Sequence, residues 1–154
     1  MMMSDFEREV VQCFNRFFTA QHIRGFAYRL KQHKFSTQYV DVLVDCINPS
    51  YYCAVECKSI GDKKLYFSQH FHADKKNIHQ VDAISGFLEK TGRVGYLAVE
   101  FRTAGKPNEA FLIPWTIVQE HFSENRGITI DDARQGTQLV RARGTYTLGS
   151  LNAK

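Results

Sequence analysis

The chain has 154 residues and a mass of 17.8 kDa, with 44% hydrophobic and 23% charged residues, the balance of an ordinary globular protein with enough chain for one core. These values exclude a mostly disordered chain, and no apolar run approaches the roughly 18–20 residues of a membrane span. Twenty Lys and Arg against sixteen Asp and Glu leave a formal charge of +4, which permits a polyanionic partner without requiring one. The cysteines Cys13, Cys46, Cys53 and Cys57 contain no Cys-x-x-Cys pair. The start, Met-Met-Met-Ser-Asp-Phe-Glu-Arg-Glu, places acids where a signal peptide needs a basic and then an apolar stretch. Free thiols in a reducing, cytoplasmic compartment are therefore expected.

In chain order, the spacing predicts a first helix over about Asp5–Phe18. Ser4 or Asp5 caps it, and Phe6, Val10, Cys13, Phe14 and Phe17 form its apolar face. A short strand follows near Phe26–Leu30. Tyr39–Cys46 alternates strictly, Ile47-Asn-Pro-Ser50 has turn chemistry, and Tyr51–Ser59 alternates again, which reads as a hairpin. A loop rich in Lys, His and aromatics runs from Gly61 to Lys76. A second helix over about Asn77–Lys90 buries Ile78, Val81, Ile84, Phe87 and Leu88 and ends at Gly92. Arg93–Phe101 reads as a buried central strand, Glu109–Ile113 as another strand, and Pro114–His121 as a short helix. A helix from Asp131 into Arg141 is expected in the tail. No linker or repeat interrupts the chain, so one domain over 4–154 is expected, with a core to about 115 and a C-terminal extension over 116–154. The order of elements indicates an α/β fold with a single mixed central β-sheet flanked by helices.

The hairpin carries the chemistry. Period-2 geometry puts Tyr39, Asp41, Leu43 and Asp45 on one face of the first strand, and Tyr52, Ala54, Glu56 and Lys58 on one face of the second. The opposite face is apolar and must be core. With Ile47–Ser50 as a four-residue loop, Asp41 lies directly across from Glu56, while Asp45 faces Tyr52. Two opposed carboxylates repel unless a positive charge lies between them, and Mg²⁺ or Mn²⁺ is the natural filler. Lys58, one step along the same face, can orient an attacking water or offset charge on a phosphate. Glu7 on the first helix borders the buried face and supplies a third acid; Glu9 falls on the side of Gln12 and Arg16 and should be solvated. Eight glutamates and ten lysines give about 0.5 Glu-x-Lys triplets by chance, so the specificity lies in the added Asp and helix Glu rather than in the triplet.

Asp41 followed by Glu56-Cys57-Lys58 at the end of an apolar strand resembles the PD-(D/E)XK nuclease superfamily. Phe6-Glu7-Arg8-Glu9 before an amphipathic helix resembles the archaeal Holliday-junction resolvases, in which an acid on the first helix joins the site. His79-Gln80 opening a helix, followed by Gly92-Arg-Val-Gly-Tyr-Leu-Ala-Val-Glu-Phe101, resembles bacterial junction resolvases as well. The likeness covers about residues 4–115. It departs from the name-giving pattern at Val40, where proline would precede Asp41. The resemblance implies a restriction-endonuclease-like α-β-β-β-α-β core and a metal held by Glu7, Asp41, Glu56 and the carbonyl of Cys57. It also implies a supporting role for Gln80 and a four-way DNA junction as substrate, in DNA recombination or repair.

Lys63, Lys64, Lys75 and Lys76, interleaved with aromatics, suit phosphate contacts and stacking against DNA; the alternative is a solvated loop whose aromatics cap the sheet. Arg134, Arg141, Arg143 and Lys154 either extend that footprint or form a plain charged tail. A zinc site from Cys53, Cys57, His70 and His72 lacks ligand spacing. A junction needs two symmetric cuts, so a homodimer is expected, with contacts through Leu65, Tyr66 and Phe67 or through Phe111 and Trp115. The reading that results is a metal-dependent endodeoxyribonuclease. The rivals are a restriction- or repair-type endonuclease of the same fold and a non-catalytic DNA-binding module.

Overall fold

The computed structural model describes residues 5–30 and 38–151. Ser4 and Lys154, named above as a cap and a possible DNA contact, lie outside them. Helix α1 (Asp5–Gln21) leads into β1 (Gly25–Arg29), β2 (Val42–Cys46), a 3₁₀ turn (Pro49–Tyr51) and β3 (Cys53–Ile60). The short β4 (Lys64–Leu65) precedes α2 (Gln80–Thr91), β5 (Val94–Phe101), β6 (Glu109–Pro114) and α3 (Trp115–Ser123). The chain closes with β7 (Ile128–Thr129), α4 (Ile130–Ala133), β8 (Thr137–Ala142) and β9 (Thr145–Thr147).

Seven strands form one mixed sheet in the order β1-β2-β3-β5-β6-β8-β9; β3 and β5 run parallel and every other neighbouring pair is antiparallel. The crossover between β3 and β5 contains α2, as a parallel connection requires. Helix α1 buries Phe6, Val10, Cys13, Phe14, Phe17 and Phe18 against Val42, Val44, Cys53 and Val55 on one face of the sheet. On the other face, Val81 and Ile84 of α2 and Trp115 and Val118 of α3 pack over Leu43, Ala54, Leu97 and Val99. The face that bears the acids is therefore not a solvent face, as alternation alone would suggest. Among the described residues, helices pack on both faces of the central strands.

Gly95 shows how tightly that second layer sits. A Cβ there would meet Leu88 Cδ1 at 2.3 Å and Trp115 Cβ at 2.9 Å, so glycine lets α2 and α3 close onto β5.

Three boundaries differ from the sequence expectation. Helix α2 starts at Gln80 rather than Asn77, because Asn77 has a left-handed φ of 63° and Asp74 Oδ1 accepts from the main-chain N–H groups of Lys76 and Ile78. Ile78 is thereby exposed rather than core. The expected helix from Asp131 into Arg141 is instead the single turn α4, closed by a Thr129–Asp132 capping box, and then the β8–β9 hairpin. Arg143 and Gly144, with φ of 55° and 81°, make the two-residue hairpin turn whose twist matches the strands. Two-residue β4 pairs with β7 inside the segment read as loop, so Leu65, Phe67 and Phe71 belong to the core. Leu65, Phe67, Phe111 and Trp115 are all buried, which removes both expected dimer patches apart from Tyr66. No helix among the described residues is long and apolar enough to cross a membrane.

Candidate active site

The hairpin register places the acids. Val42, Leu43 and Val44 pair with Val55, Ala54 and Cys53, so the same register continued by one step sets Asp41 across from Glu56. Glu56 is 3% exposed, and Asp41 is close enough for its charge to act on it. Asp41 Oδ2 accepts from the main-chain N–H of Cys57 at 2.9 Å, and Oδ1 from Gln38 Nε2 at 3.1 Å.

Gln80, at the first turn of α2, ties the site together. Its Nε2 donates to Glu56 Oε2 at 2.7 Å, and its Oε1 accepts from Lys58 Nζ at 3.4 Å. Lys58 Nζ lies 3.3 Å from Glu56 Oε2 and 4.8 Å from the centroid of the Phe71 ring. His79 anchors the helix that delivers Gln80: its Nδ1 accepts from Val81 N–H at 3.0 Å, and its Nε2 donates to the Phe67 carbonyl at 2.9 Å. Glu7 reaches the same end of the sheet from α1, where Arg29 Nε lies 3.3 Å from its Oε1.

Burial first, then the neighbouring Asp41 charge, pushes Glu56 up from its ordinary value of 4.5 to about 8. Burial also raises Asp41, with the negative charge of Glu7 adding to the shift. Burial likewise holds the Cys57 thiol well above its ordinary range. The result is a sheltered carboxyl pair in which Glu56 holds its proton up to about pH 8, with one lysine beside it.

That donor set fits a small hard cation. Asp41 and Glu56 offer oxygens from two carboxylates, the number Mg²⁺ commonly takes while keeping several waters. Among the described residues no group of three or more His, Cys, Asp and Glu is placed to hold a metal, so Glu7 stands beside the pair, matched with Arg29, rather than completing a cage. The same finding leaves the zinc arrangement of Cys53, Cys57, His70 and His72 unassembled; all four cysteines are free.

The remaining predicted residues divide. Asp45 is bound to Arg93 Nη2 at 3.0 Å and accepts from the Tyr28 hydroxyl at 2.9 Å, apart from the acid pair. Lys63, Lys75 and Lys76 are exposed and Lys64 is half-buried, on the segment that carries Phe71 to Lys58. Glu9 is not solvated: Arg141 Nη2 pairs with it at 3.2 Å, and its side chain is 17% exposed. Arg134 is matched with Asp131 and Glu109, so two of the tail arginines serve the fold.

Sequence reasoning missed Glu100, which is buried at the end of β5 and accepts from Ser59 Oγ and from the Tyr146 hydroxyl, each at 2.6 Å. The available signal was a polar residue at the end of each of two apolar parallel strands. Phe71 and Arg29 gave no comparable signal, because their roles depend on contacts between distant segments.

No protein-family model matches the chain, and no curated protein matches it at a significant level. Among solved structures, Hjc of Archaeoglobus fulgidus, a Holliday junction resolvase from an archaeal hyperthermophile, is similar to it at a TM-score of 0.53. The likeness covers 86% of this chain and 91% of that one, at 20% identity. The two share a fold. The mixed α/β sheet with flanking helices is the restriction-endonuclease-like architecture expected from the sequence.

Proposed function

We propose that the protein is a metal-dependent endonuclease that hydrolyses DNA phosphodiester bonds, with a four-way junction as its leading substrate. The observation that carries this reading is the assembly of Asp41, Glu56, Lys58 and Gln80 at one end of the β2–β3 hairpin. A non-catalytic binding module has no use for a buried acid set against a second, half-buried one. The shared fold with an archaeal Holliday junction resolvase supports the choice of branched DNA over other targets.

In this reading Asp41, Glu56 and the Cys57 carbonyl hold Mg²⁺ or Mn²⁺, with Glu7 as a further acid nearby. The cation supplies Lewis-acid polarisation of the phosphoryl group and lowers the pKa of a water. Lys58 orients that water and offsets charge developing on the phosphate. Gln80 fixes both partners, since its amide is bonded to Glu56 and Lys58 at once. Lys63, Lys64, Lys75 and Lys76 contact neighbouring phosphates, and a homodimer presents two sites to the two-fold symmetric junction.

The test compares cleavage of four-way junction, flap, duplex and single-stranded DNA with Mg²⁺ or Mn²⁺. Metal-dependent cutting of the junction, lost in Glu56→Gln, is the expected result. Activity without added metal, or persisting in Glu56→Gln, would overturn the assignment of the site.

A further inference from the structure

The segment between β4 and α2 builds a feature that hydrolysis does not use. Its neighbours Leu65 and Phe67 are buried, yet Tyr66 stands 41% exposed. The His70 ring lies nearly parallel to the Tyr66 ring, at 20° with centroids 6.0 Å apart, within the range of offset-stacked pairs. Both His70 nitrogens are fixed: Nδ1 accepts from the main-chain N–H of Tyr66 at 2.8 Å, so Nε2 carries the proton and donates to Asp62 Oδ2 at 3.0 Å. The main-chain N–H of His70 donates back to the Tyr66 carbonyl at 2.8 Å and closes the turn. The phenol is thus held against a second ring before any ligand arrives.

The position is as informative as the rigidity. His70 directly precedes Phe71, whose ring lies under the Lys58 ammonium. Lys64 Nζ sits over the Tyr66 ring, 5.6 Å from its centroid, and Lys63 precedes it in the chain and is exposed. A flat ring pair with a lysine over its outer ring, one residue from the catalytic lysine's support, matches a nucleotide: the base takes the place of Lys64 on the ring and a phosphate takes the lysine.

We propose that Tyr66, backed by His70, is a stacking ledge for a base that has left the helical stack at a branch or strand discontinuity, and that it sets the preference for branched over continuous DNA. This rests on the nuclease reading of the adjoining site. A base inside continuous duplex has both faces covered by its neighbours, so it gains nothing from Tyr66. An unpaired base has a free face, and because every base has one the ledge tolerates any sequence. Lys64 moves from the ring to a phosphate as the base takes its place.

Binding is measured with Ca²⁺ in place of Mg²⁺, on a four-way junction, a fork with unpaired bases and a continuous duplex of matched sequence. Tyr66→Ala is expected to weaken binding of the junction and fork by about 5- to 100-fold, the scale of one base–aromatic stack, and to leave the duplex unchanged. Tyr66→Trp should keep the preference. An equal loss on all three DNAs, or no loss on any, overturns the ledge. Single-turnover cleavage by Tyr66→Ala at saturating enzyme with Mg²⁺ reads the catalytic site separately: a wild-type rate on the junction is the expected result, and a rate that falls as far as that of Glu56→Gln overturns the ledge by placing Tyr66 in the reaction itself. A wild-type protein that neither binds nor cuts any of these DNAs rejects both readings.

Discussion

Glu56 and Asp41 occupy a position that costs stability unless a cation is present. A carboxyl whose folded pKa lies above its unfolded value keeps its proton longer in the native state. Between about 4.5 and about 8 the unfolded chain therefore binds fewer protons at Glu56 than the native one, and stability falls as pH rises through that window. Asp41, also raised, acts in the same sense. The metal-free protein should melt at a lower temperature at about pH 8 than at about pH 5, and Glu56→Gln should flatten the difference. Millimolar Mg²⁺ should raise the melting temperature more at the higher pH, because it binds the deprotonated pair. Scanning calorimetry reads all three effects; a profile for the metal-free wild type that rises with pH would refute the electrostatic account. At the same scale, Lys58→Ala should slow cleavage by about 10²–10³, the loss of one preorganised charge, with DNA affinity retained. Asp45→Asn, whose carboxylate is engaged by Arg93 and Tyr28, should cut at the wild-type rate in the same assay.

At the level of elements, what could be read in the sequence was whatever depends on local period and turn length. Strict alternation and an expected four-residue loop place Asp41 against Glu56; the ladder ends earlier, at Val44 and Cys53, with a 3₁₀ turn in the connection, but the register is the same. The Gly92 stop of α2 was equally local, with a left-handed φ of 73°. The tail was not legible in this way because its structure is decided elsewhere. Thr137–Ala142 becomes a strand by pairing with β6, and Gly136 comes so close to it that a Cβ would sit 2.3 Å from the Leu112 carbonyl oxygen. Arg143-Gly144 is the local clue to the hairpin, and it is a weak one. That hairpin is part of the support for the site end of the sheet: Tyr146 packs in the α1 core and donates to the buried Glu100, which also holds Ser59, the residue after Lys58. Tyr146→Phe leaves the buried Glu100 carboxyl with one donor fewer and should cost about 1.5–3 kcal/mol in urea unfolding, the range for hydrogen bonds to charged groups. A change within error would mean that Glu100 finds another donor once Tyr146 is removed.

At the scale of the whole molecule, the charge of +4 is modest, so DNA affinity depends on where the cations gather rather than on the total. With Arg134 and Arg141 paired to acids, the lysines around the β4–α2 segment carry the expected footprint. Replacing Lys63, Lys64, Lys75 and Lys76 with Gln should flatten the salt dependence of duplex binding, by about 0.9 in log–log slope for each phosphate that is no longer neutralised. An unchanged slope would move the footprint off this segment.

One site on one chain cuts one strand, whereas resolving a junction takes two symmetric cuts close in time. A C₂ dimer meets that need because its axis can coincide with that of the junction. Since Leu65, Phe67, Phe111 and Trp115 are core, the proposed dimer would have to join through other residues. Such a dimer makes the two cuts separable. Sedimentation at micromolar concentration should show a dimer, and mixing wild type with an excess of Glu56→Gln should place one competent and one dead site on most active particles. Those particles should leave junctions nicked in a single strand, while the unmixed wild type yields paired nicks. A strict monomer that still makes paired, symmetric nicks would remove both the dimer and the junction-resolving role, and a nuclease acting on single phosphodiesters would remain.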